Sequence, residues 1–277
     1  MTDNQARKYF DLTHQVAVVT GGAGILCGRL CRVLAHNGVK VAVLDINHQA
    51  ADQLSIDICQ LGGEAQAFEC DVSNKESIQV AAQQILRTFG KVDILINGAG
   101  GNNPQATTSA EHSFFDLPEN AISCVFDLNL MSTIYASQVF GKFMAEQKKG
   151  TILNISSMNA FRPLTKIPVY SAAKAAVSNF TQWLAVHMAQ EYSPEIRVNA
   201  IAPGFFLTDQ NRFLLTDQAT GDLTARGQTI IDHTPMHRFG YPEDLFGTVL
   251  WLLSPASAFV TGITIPVDGG FSAFSGV

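Results

Sequence analysis

The chain has 277 residues, of which 47% are hydrophobic and 15% charged, and its formal net charge is −6. This length fits one large α/β domain or two small ones, with enough apolar residues for a well-buried core. The chain has no basic run, which excludes nucleic acid as an expected partner, and no apolar stretch near the ~20 residues of a membrane-spanning helix.

Residues 1–13 are predicted to be an N-terminal extension that packs on the surface or frays. They lack the apolar core of a signal peptide. The five cysteines are scattered and include no C-x-x-C pair, which favours reduced thiols and a cytoplasmic protein. Cys27 and Cys31 lie four apart on a predicted helix, but two thiols without further ligands do not make a zinc site, so no metal is expected.

Strands and helices alternate along the rest of the chain. Seven apolar runs are predicted to be buried strands: Val16–Thr20, Val39–Asp45, Ala67–Asp71, Val92–Asn97, Thr151–Ser156, Arg197–Ile201 and Thr264–Val267. Helices are predicted from the first strand to Asn37 and at about 48–61, 75–89, 119–147, 169–192 and 242–254. This alternation predicts an α/β, single-domain Rossmann fold over 1–277, a doubly wound seven-stranded parallel sheet with helices on both faces.

One segment breaks the alternation. From about residue 207 to 240 the chain turns polar and weakly periodic, with Gly221, Gly227, Pro235 and several threonines. We interpret it as a mobile lid over the substrate, inserted in the single domain.

The stretch 150–177 carries the residues from which chemistry is predicted. Tyr170 and Lys174 are four apart on a helix that begins after Pro168, so their side chains share one face. A fixed ammonium beside a phenol is expected to lower the phenol pKa. Ser157 follows a buried strand, where a loop can return its hydroxyl to Tyr170. We predict a proton-transfer centre with Tyr170 as acid/base, Lys174 as electrostatic tuner and Ser157 as orienter.

The simpler interpretation of Y-x-x-x-K is a pair of residues on a helix surface, and the motif alone is weak. A second motif changes this assessment. The run G-G-A-G-I-L-C-G follows the first strand and opens a helix, which is the context in which backbone approaches a pyrophosphate. Asp45 ends the second strand, where a carboxylate accepts ribose hydroxyls of NAD and repels the 2′-phosphate of NADP. The alternative role of Asp45 is a helix N-cap.

Together these motifs resemble the short-chain dehydrogenase/reductase family, over nearly the whole chain from about Gln15 to Gly270. The Ser–Tyr–Lys spacing matches. The family turn T-G-x-x-x-G-x-G begins here with Thr20 and Gly21, but its later glycine positions hold Ile25 and Cys27. Gly98 stands in N-G-A-G where the family has the second asparagine of N-N-A-G.

The resemblance implies NAD as cofactor and roles for residues outside the two motifs. Asn129 matches the helix asparagine that completes the family's proton relay. Thr208, in P-G-x-x-x-T, matches the threonine that meets the nicotinamide carboxamide. The implied cofactor-binding set is Gly21, Gly24, Ile25, Leu26, Asp45, Ile46, Asp71, Val72, Asn97, Ala99, Gly100, Tyr170, Lys174, Pro203, Gly204 and Thr208. The family also implies a homotetramer or homodimer.

Polar side chains near the predicted centre indicate the substrate class. The run G-A-G-G-N-N-P and the run I-S-S-M-N-A-F-R-P look like the fructuronate/mannonate oxidoreductase branch, with gluconate 5-dehydrogenases close by. The predicted substrate residues are Asn103, Ser157, Asn159, Arg162, Tyr170 and Arg212. The predicted reaction is NAD-linked interconversion of a secondary alcohol and a ketone of a sugar acid, of the D-mannonate/D-fructuronate type.

Several alternatives stay open. Gluconate-type acids and polyols are the nearest, and the polar side chains could simply face water. Asp45 disfavours a 3-oxoacyl reductase, because those usually use NADPH. A catalytically inactive NAD-binding protein or a structural protein on the same fold would not need Asn129, Ser157, Tyr170 and Lys174 together.

Overall fold

The computed structural model describes residues 8–208, 212–217 and 220–276 and contains one sheet of seven parallel strands. The strand order is 3-2-1-4-5-6-7, which confirms the predicted doubly wound topology. The strands are β1 Val16–Thr20, β2 Lys40–Asp45, β3 Glu64–Glu69, β4 Ile94–Asn97, β5 Gly150–Ile155, β6 Ile196–Pro203 and β7 Thr264–Val267.

Central strands are buried on both faces, as their continuous apolar sequences predict. Every residue of β1, β4 and β6 is buried. The strand order reverses between β1 and β4, which are neighbours in the sheet. The crevice at such a reversal is where doubly wound sheets bind ligands.

Helices cover both faces of the sheet. They are α1 Ile25–His36, α2 His48–Gln60, α3 Lys75–Phe89, α4 Glu119–Phe126, α5 Ser132–Gln147, α6 Pro168–His187, α7 Arg212–Leu215, α8 Ala225–Asp232 and α9 Phe246–Leu253. Two large apolar clusters lie between helices and sheet, one containing α1, α2 and α9 residues and the other α3, α5 and α6 residues.

Strands β1 and β7 have the predicted bounds, the other five strands differ from prediction by one to three residues, and two of the predicted helices include a π-helical turn. Strand β3 begins at Glu64 rather than Ala67, because its alternating exposed residues at the sheet edge lack a continuous apolar run. Strand β6 extends to Pro203. The helix predicted over 119–147 contains a π-helical turn at Asp127–Met131, and the one predicted over 169–192 ends in another at Met188–Tyr192.

The segment predicted as a lid contains more structure than its weak periodicity indicates. Helices α7 and α8 lie within it. Leu215, Ile230 and Phe239 form a small apolar cluster of their own, against which Phe205 and Leu207 pack. The segment therefore has a small apolar cluster of its own, and residues 209–211 and 218–219 of the predicted lid lie outside the described residues.

At the N-terminus the description begins at residue 8, so most of the predicted extension 1–13 is outside it. Leu12 is buried in the core beside α1 and α2 residues. Within the described chain, no helix has the length and apolar character needed to cross a membrane.

Candidate active site

The three predicted catalytic side chains meet at the carboxyl end of β5. Ser157 follows this strand, and α6 carries Tyr170 and Lys174 across from it. The Ser157 side chain is near enough to the Tyr170 phenol to lower its pKa. The Lys174 Nζ lies 5.6 Å from the centre of the Tyr170 ring and donates a 2.8 Å hydrogen bond to the Ile155 carbonyl. The structure thus brings together the three residues that spacing alone had grouped.

The adjacent residues Ser156 and Ser157 make different hydrogen bonds at the end of β5. The Ser156 Oγ donates to the Lys174 carbonyl at 3.0 Å and shares a 2.7 Å hydrogen bond with Ser178, so it fixes the end of β5 to α6. The Ser157 Oγ instead accepts the Asn159 N–H at 3.3 Å, which starts a short 3₁₀ turn at Met158–Ala160. Ser157 is therefore the serine whose hydroxyl is directed to Tyr170.

Burial dominates the electrostatics of the centre. Desolvation raises the pKa of Tyr170, and the side chain of Ser157 only partly opposes that rise. The expectation that Lys174 lowers the phenol pKa is wrong for the protein alone. Desolvation also lowers the pKa of the buried Lys174 ammonium to about 8, with a smaller opposing effect of Cys27. Tyr170 is thus protonated and able to donate its proton at neutral pH. The neighbouring Lys174 has a pKa about one unit above neutral pH.

Asn129 lies in the π-helical turn and is fully buried. Its Nδ2 donates to the carbonyls of Gly101 and Val125, each at 2.7 Å, and its Oδ1 accepts the Gly101 N–H at 3.2 Å. A Cβ on Gly100 would lie 2.8 Å from the Asn129 Oδ1 and 3.0 Å from the Lys174 Nζ. Asn129 and Lys174 therefore flank Gly100, and the side chain of Asn129 fixes the loop after β4 in that position.

A cleft of about 580 Å³ runs along the carboxyl ends of the strands, at the reversal between β1 and β4. This volume is within the range of ligand sites. Twelve predicted cofactor residues line it: Gly21, Gly24, Ile25, Leu26, Asp45, Ile46, Asp71, Val72, Ala99, Gly100, Gly204 and Thr208. Six residues outside the predicted cofactor-binding set also line it: Cys27, Cys70, Gly98, Leu128, Phe205 and Phe206.

Four predicted cofactor residues are not among those that line the cleft: Asn97, Tyr170, Lys174 and Pro203. Asn97 is buried and donates to Asn154 at 2.8 Å and to Ser137 at 3.1 Å, so it joins β4 to β5 and α5. Its position supports the loop that carries the lining residues Gly98 and Gly100. Asn97 therefore acts behind the cleft surface.

The glycine-rich turn is pressed against the loop after β4. Gly21 has a φ of +60°, and a Cβ there would lie 2.8 Å from the Ala99 Cα, so both conformation and space require glycine. The Thr20 Oγ1 accepts the N–H groups of Gly98 and Ala99 at 3.1 and 3.2 Å. These contacts set the width of the cleft where the two loops meet.

Asp45 supports the same turn. Its carboxylate accepts the Ala23 N–H at 3.0 Å and the Asn47 N–H at 2.9 Å. The cap of α2 is Asn47, whose side chain accepts the Ala50 N–H. The alternative in which Asp45 is the N-cap of this helix is therefore excluded, and the carboxylate lies in the cleft wall beside the exposed Ile46.

Cys27 occupies a family glycine position, and the structure explains why this is tolerated. A Cβ on Gly98 would overlap the Cys27 Sγ. The space that a side chain at position 98 would fill, where the family has asparagine, is thus occupied here by the Cys27 side chain. Burial raises the pKa of the Cys27 thiol to about 12, so it remains neutral at pH 7. Two of the three departures from the family pattern, Cys27 and Gly98, are thus one exchange of volume across the cleft floor.

The predicted substrate residues are less closely gathered. Asn159 is buried, and its Oδ1 is without a hydrogen-bond partner among the described residues. Asn103 is half-buried and caps a short turn by accepting the Gln105 N–H. The Arg162 Nε donates 3.0 Å to the Ser272 carbonyl, near the C-terminus. Arg212 begins α7, and the neighbouring Asn211, considered with it, lies outside the described residues.

Comparison with known proteins agrees with this geometry. Residues 26–272 match a family model described as Enoyl-(Acyl carrier protein) reductase. An uncharacterised oxidoreductase UxuB of Bacillus subtilis is 50% identical over 276 residues, covering 96% of this chain and 98% of the relative. A Haemophilus structure described as a provisional D-mannonate oxidoreductase with bound NAD is 48% identical, covers 96% of this chain and 98% of its own, and has a TM-score of 0.91.

A more distant relative, the 7alpha-hydroxysteroid dehydrogenase of Escherichia coli K12, is 33% identical over 259 residues, 94% of each chain. Relatives with this degree of similarity therefore include one whose substrate is a steroid. The substrate of the present chain has to be inferred from its own site residues.

Proposed function

The chain belongs to the short-chain dehydrogenase/reductase family of oxidoreductases that act on alcohol groups, and from that premise we propose that it uses NAD to interconvert a secondary alcohol and a ketone of a sugar acid. D-mannonate and D-fructuronate are the first choice of substrate pair. The observation that carries the proposal is the meeting of Ser157, Tyr170 and Lys174 beside the cleft between β1 and β4.

The cleft residues fit a dinucleotide. Helix α1 begins at Ile25, directly after Gly24, so its first N–H groups face the cleft without side-chain caps. Helix N-termini of this kind bind phosphate. A Cβ added at Gly21 or Gly100 would lie within about 3 Å of neighbouring protein atoms, so the close approach of the loops to their neighbours requires glycine at both positions. We assign the pyrophosphate to this turn.

Charge in the cleft favours NAD over NADP. Asp45 is a carboxylate in the wall, and no lysine or arginine is among the described lining residues. A carboxylate here would accept ribose hydroxyls and repel a 2′-phosphate. We assign Ile46, Asp71 and Val72 to the adenine end. We assign Thr208, which also lines the cleft, to the carboxamide.

The chemistry then follows from the side chains at the end of the cleft. Bound NAD supplies the hydride acceptor for alcohol oxidation and, when reduced, the donor for the reverse reaction. Neutral Tyr170 donates its proton to the ketone oxygen in reduction, and in oxidation its phenolate form, left after its proton has passed outward by way of Lys174, takes the alcohol proton. Ser157, whose side chain acts on the Tyr170 phenol, orients the substrate oxygen. The raised pKa of Tyr170 suits proton donation to a ketone at neutral pH.

Lys174 and Asn129 have supporting roles in the proposal. The buried ammonium of Lys174 stabilises negative charge as it develops on the Tyr170 oxygen. Its pKa of about 8 lets it lose and regain a proton near neutral pH. Asn129 fixes the Gly100 loop beside it through the two bonds to Gly101. We assign Asn129 to the proton path from Lys174 outward.

Polar groups near Ser157 support a sugar acid as substrate. Asn159 follows Ser157 by two residues and has a buried, unpartnered amide oxygen within the described chain. Leaving such an atom without a partner costs ~1–3 kcal/mol, which a substrate hydroxyl would offset. Asn103 offers a second amide. Arg162 is engaged with the Ser272 carbonyl, so we assign the substrate carboxylate to Arg212 or to Lys166, and an arginine can bind it with two parallel hydrogen bonds.

Steady-state rates with NAD test this proposal. The panel contains D-mannonate, D-gluconate, a neutral hexitol, a 3-oxoacyl ester (with NADH) and a bile-acid hydroxysteroid. We expect D-mannonate to have the highest kcat/KM, with gluconate-type acids next. A preference of more than about tenfold for the hexitol, ester or steroid would contradict the carboxylate argument. No turnover of any compound would favour the non-catalytic alternative.

We also propose that the protein is a cytoplasmic homodimer or homotetramer. Trp183, Val186 and Tyr192 are large apolar residues that are each more than two-fifths exposed. Phe180 and His187 stack on the two faces of the Trp183 ring, which extends an ordered apolar surface along α6. A second copy would cover such a surface. Light scattering on the purified protein tests this, and a monomer at micromolar concentration would contradict it.

A further inference from the structure

The C-terminal turn, residues 268–274, is folded by its own hydrogen bonds. Asp268 caps it, with its carboxylate accepting the Gly270 N–H at 2.9 Å and the Ser272 N–H at 2.8 Å. The Gly270 carbonyl accepts the N–H groups of Ala273 and Phe274 at 3.1 Å. The turn is thus a preformed unit, and its position depends on what it contacts.

Three segments around the active site contact the turn. Gly204, in the cleft lining after β6, is so close that a Cβ would lie 2.6 Å from the Asp268 Cβ. Phe271 packs edge-on against Phe205, another lining residue, at 5.1 Å between ring centres. At the end of the lid, the Met236 N–H donates to the Gly269 carbonyl at 3.1 Å.

A further contact comes from the loop that carries Ser157. Arg162 lies five residues after Ser157, and its Nε donates 3.0 Å to the Ser272 carbonyl. This is the hydrogen bond that links the turn directly to the loop carrying Ser157. The side chain that was expected to bind a substrate carboxylate is therefore engaged with the chain's own backbone.

We propose that Arg162 is a positioning residue that seats the C-terminal turn as a wall of the substrate site, between the Ser157 loop and Phe205. The proposal rests on the function proposed above for the site, but the contact itself does not. With the turn seated, Phe271 supports Phe205 at the cleft and the opening beside Ser157 is narrowed. Loss of the Arg162 bond widens this opening, so that substrate affinity falls while the Tyr170 chemistry is retained.

A readout without substrate tests the seating. Amide exchange is measured on the full-length proteins without ligand, comparing Arg162→Met and Phe271→Ala with the unmodified chain. Exchange at Met236, whose N–H donates to the Gly269 carbonyl across the contact with the turn, should accelerate by at least ~10-fold in both variants, because the turn is released as a unit. Arg87→Met makes the same chemical change at an exposed arginine of α3 and should leave the Met236 amide unaffected. Unchanged exchange in Arg162→Met would overturn the proposal.

Kinetics then test the wall. With the best substrate of the panel, Arg162→Met should raise KM by ~10-fold with kcat within ~2-fold. Phe271→Ala should do the same, and the double variant should be little worse than either, since both act through one turn. A loss of kcat/KM in Arg162→Met without faster exchange would identify Arg162 as a direct carboxylate ligand instead. Failure of the sugar-acid assignment appears separately, in the substrate ranking of the unmodified enzyme.

Discussion

Gly98→Ala tests the exchange of volume between Gly98 and Cys27. The added Cβ would overlap the Cys27 Sγ and lie 2.9 Å from the Thr20 carbonyl oxygen. Neither side can yield easily, because the Gly98 N–H is bonded to the Thr20 Oγ1 and Cys27 is buried in α1. Overpacking of this kind costs ~1–3 kcal/mol. In a protein of this size that corresponds to a fall in Tm of roughly 2–10 °C.

Cys27→Ala provides the partner for a double-mutant cycle. Removing the sulfur from the unmodified protein leaves a small void and should cost about 1 kcal/mol. In the Gly98→Ala background the same change removes the overlap, so the double variant should be more stable than Gly98→Ala. We expect a favourable coupling of ~1 kcal/mol or more. The close Thr20 oxygen remains, so recovery is incomplete.

Thermal unfolding of the four proteins and calorimetric titration with NAD measure the cycle. Both positions line the cleft, so NAD affinity should follow the same pattern as Tm. Gly101→Ala is the control on the same loop, because a Cβ there meets only the Leu128 Cδ2, at an ordinary 3.7 Å. Additive effects of Cys27→Ala and Gly98→Ala, or a Gly98→Ala variant as stable as Gly101→Ala, would refute the volume exchange.

Four further predictions concern the site. Tyr170→Phe should keep NAD affinity and lower kcat by ~10²–10⁴-fold in a turnover assay, the usual cost of a lost general acid/base. Desolvation lowers the Lys174 pKa to about 8, so the ammonium is present below that pH and lost above it. The kcat/KM for ketone reduction should therefore decline above about pH 8, and Lys174→Arg should remove that decline. Asp45→Asn keeps an acceptor for the Ala23 N–H but removes the charge, so the ratio of kcat/KM for NAD to that for NADP should fall by ~10-fold. Amides of 220–240 should exchange more slowly when NAD and a substrate analogue bind, and unchanged exchange would contradict a lid.

The sequence was sufficient for the fold because each signal agreed with the next. Apolar runs of strand length alternate with helical periodicity, and this pattern permits few topologies. Tyr170 and Lys174 could also be predicted from the sequence, because residues at i and i+4 of a helix share one face whatever the tertiary structure. The first three residues of β3 are absent from the predicted strand, because an edge strand with exposed alternate residues has no continuous apolar run.

Other features depend on contacts that no local pattern contains. The pKa of Tyr170 was expected to fall from the proximity of Lys174, but burial depends on the whole surrounding structure and reversed the direction. Arg162 was assigned by its nearness to Ser157, whereas its partner Ser272 is 110 positions away. Phe205 and Phe206 could have been anticipated, because they follow Pro203-Gly204 and precede Thr208 at the end of a strand.

The pairing of Cys27 with Gly98 shows how departures from a family pattern can be interpreted. Considered alone, Cys27 in place of a glycine indicates a turn that no longer fits a pyrophosphate. Considered alone, Gly98 in place of an asparagine indicates a loop that has lost side-chain contacts. The overlap of the two positions makes them compensating, so the cleft floor keeps its volume and the loops keep their separation. The same neighbourhood retains Asn129, Lys174 and the Thr20 bonds to Gly98 and Ala99. A turn altered in sequence is thus compatible with an intact dinucleotide cleft, which is what a working enzyme requires.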